Sequence, residues 1–308
     1  MTEHNEMRGI ITPLVTPMTS TEELDKGSLR KLIEKQLDAG VAGLFCLGSS
    51  GEFTRLPTRT KQEVVKVVHS QVAGRVPVFV GVTDAGTRLV LDNLKKAEDL
   101  GAQYAVLSPP FYFQSSQQEL LAFYETIASS TSLNLVLYNI PQLVGASLGV
   151  GVIKHLLPIE NIIGIKDSSS DFGHFLELLQ VTKPVRSSFR VYQGNDNLIG
   201  PSVLAGADGA VPGTANLVPE IFVNLCNKAL LEEVQQTRAL QTLASQWAGV
   251  YEFGASAIVG LKAAMHIMGQ LSTPKVSSPF AQLDDSELAC LADLLDGLRQ
   301  QTSAKIAE

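Results

Sequence analysis

Cysteine is scarce in this chain of 308 residues: Cys46, Cys226 and Cys290 stand far apart and form no CxxC pair. That excludes a disulfide framework and a zinc site built on paired thiolates, and all three are expected as reduced, small apolar residues. Basic charge is also in short supply. With 24 Lys and Arg against 31 Asp and Glu, the net charge is −7. No positive field is available to displace counterions from a phosphate backbone, so nucleic acid is not an expected partner. Long apolar runs are missing, since nothing approaches the ~18 residues of a membrane span. The opening MTEHNEMRG carries acids and no apolar h-region, so a cytoplasmic protein without membrane contact is expected. No GxxxxGK[ST] or GxSxG occurs, and His4, His69, His155, His174 and His266 form neither HxH nor HExxH. Metal-dependent chemistry is therefore not expected. The single tryptophan, Trp247, is expected to pack rather than bind ligand.

What is present is a chain 45% apolar and 18% charged, with ordinary Gly and Pro content, as a compact folded protein requires. Short apolar runs alternate with longer amphipathic stretches. Eight runs read as strands: 9–16, 43–48, 77–82, 103–108, 134–139, 161–166, 190–193 and 209–212. Their ends recur every ~28 residues, close to the ~30 of a βαβ unit. Between them, Leu29, Leu32, Ile33, Gln36 and Leu37 follow a helical frame, and the near-continuous apolar strands read as buried on both faces. Eight such units predict an α/β fold, a (β/α)8 TIM barrel over residues 8–230. A doubly wound sheet is the alternative, disfavoured by the missing GxGxxG after the first strand. Helical texture over 219–231, 234–250, 256–269 and 285–299 predicts a closing helix and a C-terminal helical extension over 231–303. No linker separates the two, so they form one unit. The first seven residues are expected to fray.

Barrel enzymes draw their chemistry from the loops after the strands. Lys166 ends the sixth run and precedes Asp167. An amine that loses hydration there becomes a carbonyl nucleophile, or it is a strand-end lysine paired with Asp167. Tyr138 ends the neighbouring run; its phenol could shuttle a proton to a reacting oxygen or simply pack. Gly48-Ser49-Ser50-Gly51-Glu52 offers backbone N–H groups and two hydroxyls to a carboxylate, or makes an ordinary tight turn.

Together, Gly48-Ser-Ser-Gly-Glu52, Pro109-Pro-Phe-Tyr112, Tyr138-Asn-Ile-Pro141, Ile163-Gly-Ile-Lys166-Asp167 and Ala207-Asp-Gly209 resemble the dihydrodipicolinate synthase/N-acetylneuraminate lyase family, in order, over residues 8–300. The resemblance implies that Lys166 forms an imine with the keto group of pyruvate or a 2-keto acid, with no other cofactor. Tyr138 is then the proton shuttle. Ser49 and Ser50, beside Gly48, hold the carboxylate and relay protons, and Tyr112 completes the relay from a neighbouring subunit of a homotetramer.

Departures from the family patterns narrow the reaction. Synthases carry YNxPxRTG, whose arginine clamps a second carboxylate, and here Leu143 stands in that place. An aliphatic side chain cannot make that contact, so Leu143 resembles instead the YNxPxL form of sialic acid lyases and 2-keto-3-deoxy sugar acid aldolases. Gly194-Asn195-Asp196-Asn197 resembles the lyases' Gly-Tyr-Asp-Glu, which implies that Asp196 accepts hydrogen bonds from substrate hydroxyls. Asn197, Gly213 and Ser168 replace the lyases' acid, serine and threonine. The stretch Leu44–Phe53 is most similar to 2-keto-3-deoxygluconate-type aldolases. The expected activity is reversible cleavage of a 2-keto-3-deoxy sugar acid to pyruvate and an aldehyde. A synthase-type condensation or related dehydratase, an N-acetylneuraminate lyase and a non-catalytic keto-acid-binding barrel are the alternatives.

Overall fold

The computed structural model describes residues 7–306 and closes eight parallel strands into a barrel in sequence order, with β1 pairing β8. The order is β1 (Gly9–Pro13), α1 (Lys26–Asp38), β2 (Gly43–Cys46), α2 (Thr58–Val72), β3 (Val78–Gly81), α3 (Thr87–Asp99), β4 (Tyr104–Leu107) and α4 (Gln117–Ser129). It continues through β5 (Asn134–Asn139), α5 (Pro141–Val144), α6 (Val150–Leu156), β6 (Ile162–Asp167), α7 (Phe172–Thr182), β7 (Arg190–Gln193), α8 (Ile199–Leu204) and β8 (Gly209–Ala210). The C-terminal part is helical: α9 (Pro219–Leu230), α10 (Val234–Trp247), α11 (Ala257–Ile267) and α12 (Asp285–Ile306). No helix among the described residues is long and apolar enough to cross a membrane.

Helix starts follow local chemistry. Asp25 caps α1 by accepting from Ser28 N, and Ser116 with Glu119 forms a capping box on α4, satisfying amides that the helix itself leaves unpaired. Several strands are shorter than their apolar runs. The first ends at Pro13 rather than Thr16, because Thr16 leaves the sheet to donate its hydroxyl to the Gly51 carbonyl at 2.8 Å. Met7, expected to fray, is 2% exposed and accepts from the Tyr192 hydroxyl at 2.8 Å; residues 1–6 lie outside the described residues. Trp247 is fully buried and donates to the Thr302 hydroxyl at 3.1 Å.

Two apolar layers hold the barrel. Leu135 and Leu137 of β5 face the helices, whereas Val136 and Tyr138 join Phe45, Phe79 and Tyr192 inside the barrel, the period-two alternation of a strand. On β6 that alternation breaks. Ile162 and Ile165 both face the helices, Ile163 faces inward, and the register jumps from Leu135↔Ile162 to Val136↔Gly164. This is a bulge of one extra residue. Its effect is decisive for the site, because a one-residue shift moves every later side chain to the opposite face. Lys166 therefore pairs with Tyr138 and shares its inward face. Gly164 makes the bulge possible, since a Cβ there would lie 2.6 Å from the Arg190 carbonyl oxygen on β7.

Candidate active site

At the C-terminal ends of the strands lies a cavity of about 740 Å³, where barrel enzymes place their chemistry. Lys166 projects into it, 6% exposed, with Nζ 4.1 Å from the Tyr138 ring centroid and 5.6 Å from that of Phe45. Among the described residues no carboxylate lies within ion-pair distance of this amine. The sequence alternative, pairing with Asp167, does not occur. Asp167 points the other way and accepts from Asn139 Nδ2 at 2.7 Å and from Ser169 N and Oγ at 3.0 and 2.6 Å. Asn139 in turn accepts from Leu148 N at 3.0 Å. The outward residues thus fasten the ends of β5 and β6 while the inward pair faces the cavity.

The Tyr138 hydroxyl is 3.5 Å from Ser49 Oγ, the outer limit of a hydrogen bond and close enough to tighten around a ligand. Gly48, Ser49 and Ser50 all line the cavity. Gly48 packs so tightly that a Cβ would come within 2.7 Å of the Phe45 ring, and Leu47 before it adopts φ +59°. The turn is held from behind by Glu52, which the sequence pattern quoted without giving it a role. Glu52 is 4% exposed; it accepts from Lys262 Nζ at 2.5 Å and from Ser277 N and Oγ at 2.7 and 2.6 Å. Lys262 is wholly buried and also donates to the Lys275 carbonyl at 2.8 Å. Burial pulls its ammonium below the ordinary lysine range, with Glu52 opposing. The C-terminal extension thereby clamps the serine turn. A lone lysine within the apolar Ala257–Met265 stretch was the legible signal for this pair.

The remaining expected residues fall on the cavity wall with one exception. Leu143 stands at the rim, 64% exposed. Ser168 is buried, and among the described residues its hydroxyl has no hydrogen-bond partner. Asn197 is exposed at the rim, its N–H donating to Asn195 Oδ1 at 2.9 Å. Asp196 lines the cavity and is buried. Its Oδ1 accepts from Thr214 N at 3.0 Å and from the Tyr251 hydroxyl at 3.3 Å, so that oxygen ties the wall together. Burial raises the proton affinity of this carboxyl. Tyr251, which the sequence reading missed, fills the space beside Gly213, where a Cβ would lie 2.3 Å from its hydroxyl oxygen. The exception is Tyr112, 86% exposed with φ +84°, stacked edge-on against exposed Phe113 and absent from the cavity wall of its own chain.

Gly194 gives Lys166 its room. A Cβ at 194 would sit 1.9 Å from Ser168 Oγ, 2.9 Å from the Asp167 carbonyl and 3.0 Å from Lys166 Cε. Gly194→Ala is therefore expected to slow borohydride-trapped adduct formation with pyruvate by roughly 10²-fold, the scale of a small misplacement of reacting groups. The trapping rate, followed alongside circular dichroism, measures it; an unchanged rate would refute the steric argument.

Amine and phenol on neighbouring strand ends, turned into one barrel mouth, place the chain among the pyruvate-dependent lyases built on a (β/α)8 barrel. It belongs to the dihydrodipicolinate synthetase family, whose model matches residues 6–298. Enzymes of this family form a lysine Schiff base with pyruvate and need no external cofactor. The chain is 31% identical to the putative 2-dehydro-3-deoxy-D-gluconate aldolase YagE of Escherichia coli K12, over 94% of this chain and 97% of that protein. It is 35% identical to the probable 2-dehydro-3-deoxy-D-pentonate aldolase YjhH of the same strain, over 70% and 72% of the two chains. A 4-hydroxy-tetrahydrodipicolinate synthase of Xanthomonas campestris is 34% identical over 78% and 79%. The crystal structure of YagE in complex with pyruvate superposes with a TM-score of 0.91, covering 95% of this chain and 98% of that one.

Proposed function

We propose that this enzyme reversibly cleaves a 2-keto-3-deoxy sugar acid to pyruvate and an aldehyde. The observation that carries the reading is the inward Lys166 beside Tyr138, with Ser49 at 3.5 Å from the phenol. Lys166 attacks the keto carbon and water leaves, giving an imine that acts as an electron sink. Tyr138, having given its phenolic proton to the departing water and left the imine nitrogen protonated, takes up the proton of the C4 hydroxyl, with Ser49 in the relay, as the C3–C4 bond breaks. The bonding electrons move into the imine to form an enamine, and the aldehyde departs. Protonation of the enamine at C3 and hydrolysis of the imine release pyruvate and restore the amine. The Ser49–Ser50 turn holds the carboxylate next to the keto carbon. Exposed Tyr112, by this reading, reaches the site of a second copy within a homotetramer.

Leu143 at the rim supports cleavage over synthase-type condensation, because it offers no guanidinium to the second carboxylate of aspartate semialdehyde. The names of YagE and YjhH support the same reading. A panel of 2-keto-3-deoxy sugar acids, assayed for pyruvate release and set against consumption of aspartate semialdehyde with pyruvate, tests it. Pyruvate release from the sugar acids is expected. Efficient use of aspartate semialdehyde without such release would overturn it in favour of condensation.

A further inference from the structure

Two basic side chains line the cavity, Lys166 at its floor and Arg55 at its mouth. Arg55 is exposed and belongs to the single helical turn Phe53–Arg55 that follows the serine loop. Its guanidinium carbon lies 3.5 Å from the ring centroid of Phe280, which is half-buried and packed on the core. A guanidinium laid flat on an aromatic face keeps its in-plane N–H donors free and loses much of its freedom of orientation. Among the described residues no carboxylate pairs with it. Of the acids on the cavity wall, Glu52 is taken by Lys262 and Ser277, and one Asp196 oxygen is taken by Tyr251 and Thr214. Glu252 also lines the wall without reaching Arg55. Leu143, exposed on the cavity wall, contributes no positive charge.

Arg55 is fixed to the same scaffold as the carboxylate turn. Its N–H donates to the Glu52 carbonyl at 2.9 Å, and the Glu52 side chain is the anchored carboxylate. The clamp that sets Ser49 and Ser50 for the near carboxylate thus also sets Arg55 on the wall of the same cavity. We propose that Arg55 binds a second anionic group at the far end of the substrate. The preferred substrates are then 2-keto-3-deoxy acids whose aldehyde half ends in a carboxylate or a phosphate. The proposal rests on the imine reading above and narrows its substrate class. A planar, preoriented guanidinium suits both oxyanions, through paired charge-assisted hydrogen bonds.

The test is aldol addition of pyruvate to three aldehydes of equal length that differ at the far end: glyceraldehyde, tartronate semialdehyde and glyceraldehyde 3-phosphate. For the wild type, kcat/KM with at least one anionic aldehyde is expected to exceed that with glyceraldehyde by about tenfold or more, chiefly through KM. Which anionic aldehyde shows the excess identifies carboxylate or phosphate. The excess should shrink as salt rises, a reading that needs no variant. In Arg55→Gln the ratio should fall to near one, and Arg55→Lys should keep part of it. No anionic preference in the wild type, or an unchanged ratio in Arg55→Gln, would overturn the proposal while leaving the imine reading intact. Failure of the wild type to trap pyruvate would overturn both.

Discussion

Lys166→Ala is expected to abolish the pyruvate-sized adduct that borohydride traps on the wild-type protein, and to lower cleavage by roughly 10⁴-fold or more, as loss of a covalent nucleophile does. The effect should be confined to chemistry. Lys166 makes no ion pair among the described residues, and its Nζ lies over the Tyr138 and Phe45 rings, so truncation removes that contact but leaves no buried charge behind. Intact-protein mass spectrometry after reduction reads the adduct directly. Undiminished turnover in the variant would remove Lys166 from the mechanism. A wild type that gains thermal stability with pyruvate, yet traps no adduct and turns over no substrate, would establish the barrel as a keto-acid binder without chemistry.

The second large effect is on stability. Lys262→Met leaves Glu52 buried without its cation, and breaking a buried pair from one side costs about 3–5 kcal/mol. For a chain of this length that corresponds to a fall in melting temperature of roughly 5–10 °C. Calorimetry should show the loss. The Glu52→Gln, Lys262→Met double variant should recover much of it, because neither charge then remains in the interior. Catalysis should not recover in parallel. Glu52 positions the Ser49–Ser50 turn, so the double variant is expected to keep a raised KM for pyruvate even where its fold is restored. A double variant with both stability and KM restored would show that the pair serves the fold alone. Full stability in the single variant would contradict the assignment of a buried charge pair.

The barrel was legible in the chain because its two periodicities are local. Eight β-branched runs separated by amphipathic stretches announce strand and helix whatever their neighbours do, and the spacing of ~28 residues leaves room for only one helical crossover per strand. The positions of Lys166, Tyr138 and the Ser49–Ser50 turn at strand ends followed from the same pattern, and all of them line one cavity. Strand ends were less legible. Thr16 belongs to an apolar run yet leaves the sheet for the Gly51 carbonyl, a partner 35 residues away that no local window contains.

Tertiary structure decided which way the reactive groups face and what holds them. A strict alternation from Ile162 would turn Lys166 toward the helices; the bulge at Ile163 and Gly164 turns it inward, and a bulge depends on the partner strands rather than on the run itself. The Glu52–Lys262 clamp joins residues 210 apart in the chain, the Tyr251 hydroxyl occupies space that Gly213 leaves open, and Arg55 is aimed by Phe280. Each is a contact between segments that sequence order separates. By itself the sequence determined the kinds of chemistry available at the barrel mouth. Packing between distant segments determined their direction, their support and the charge left free to meet a substrate.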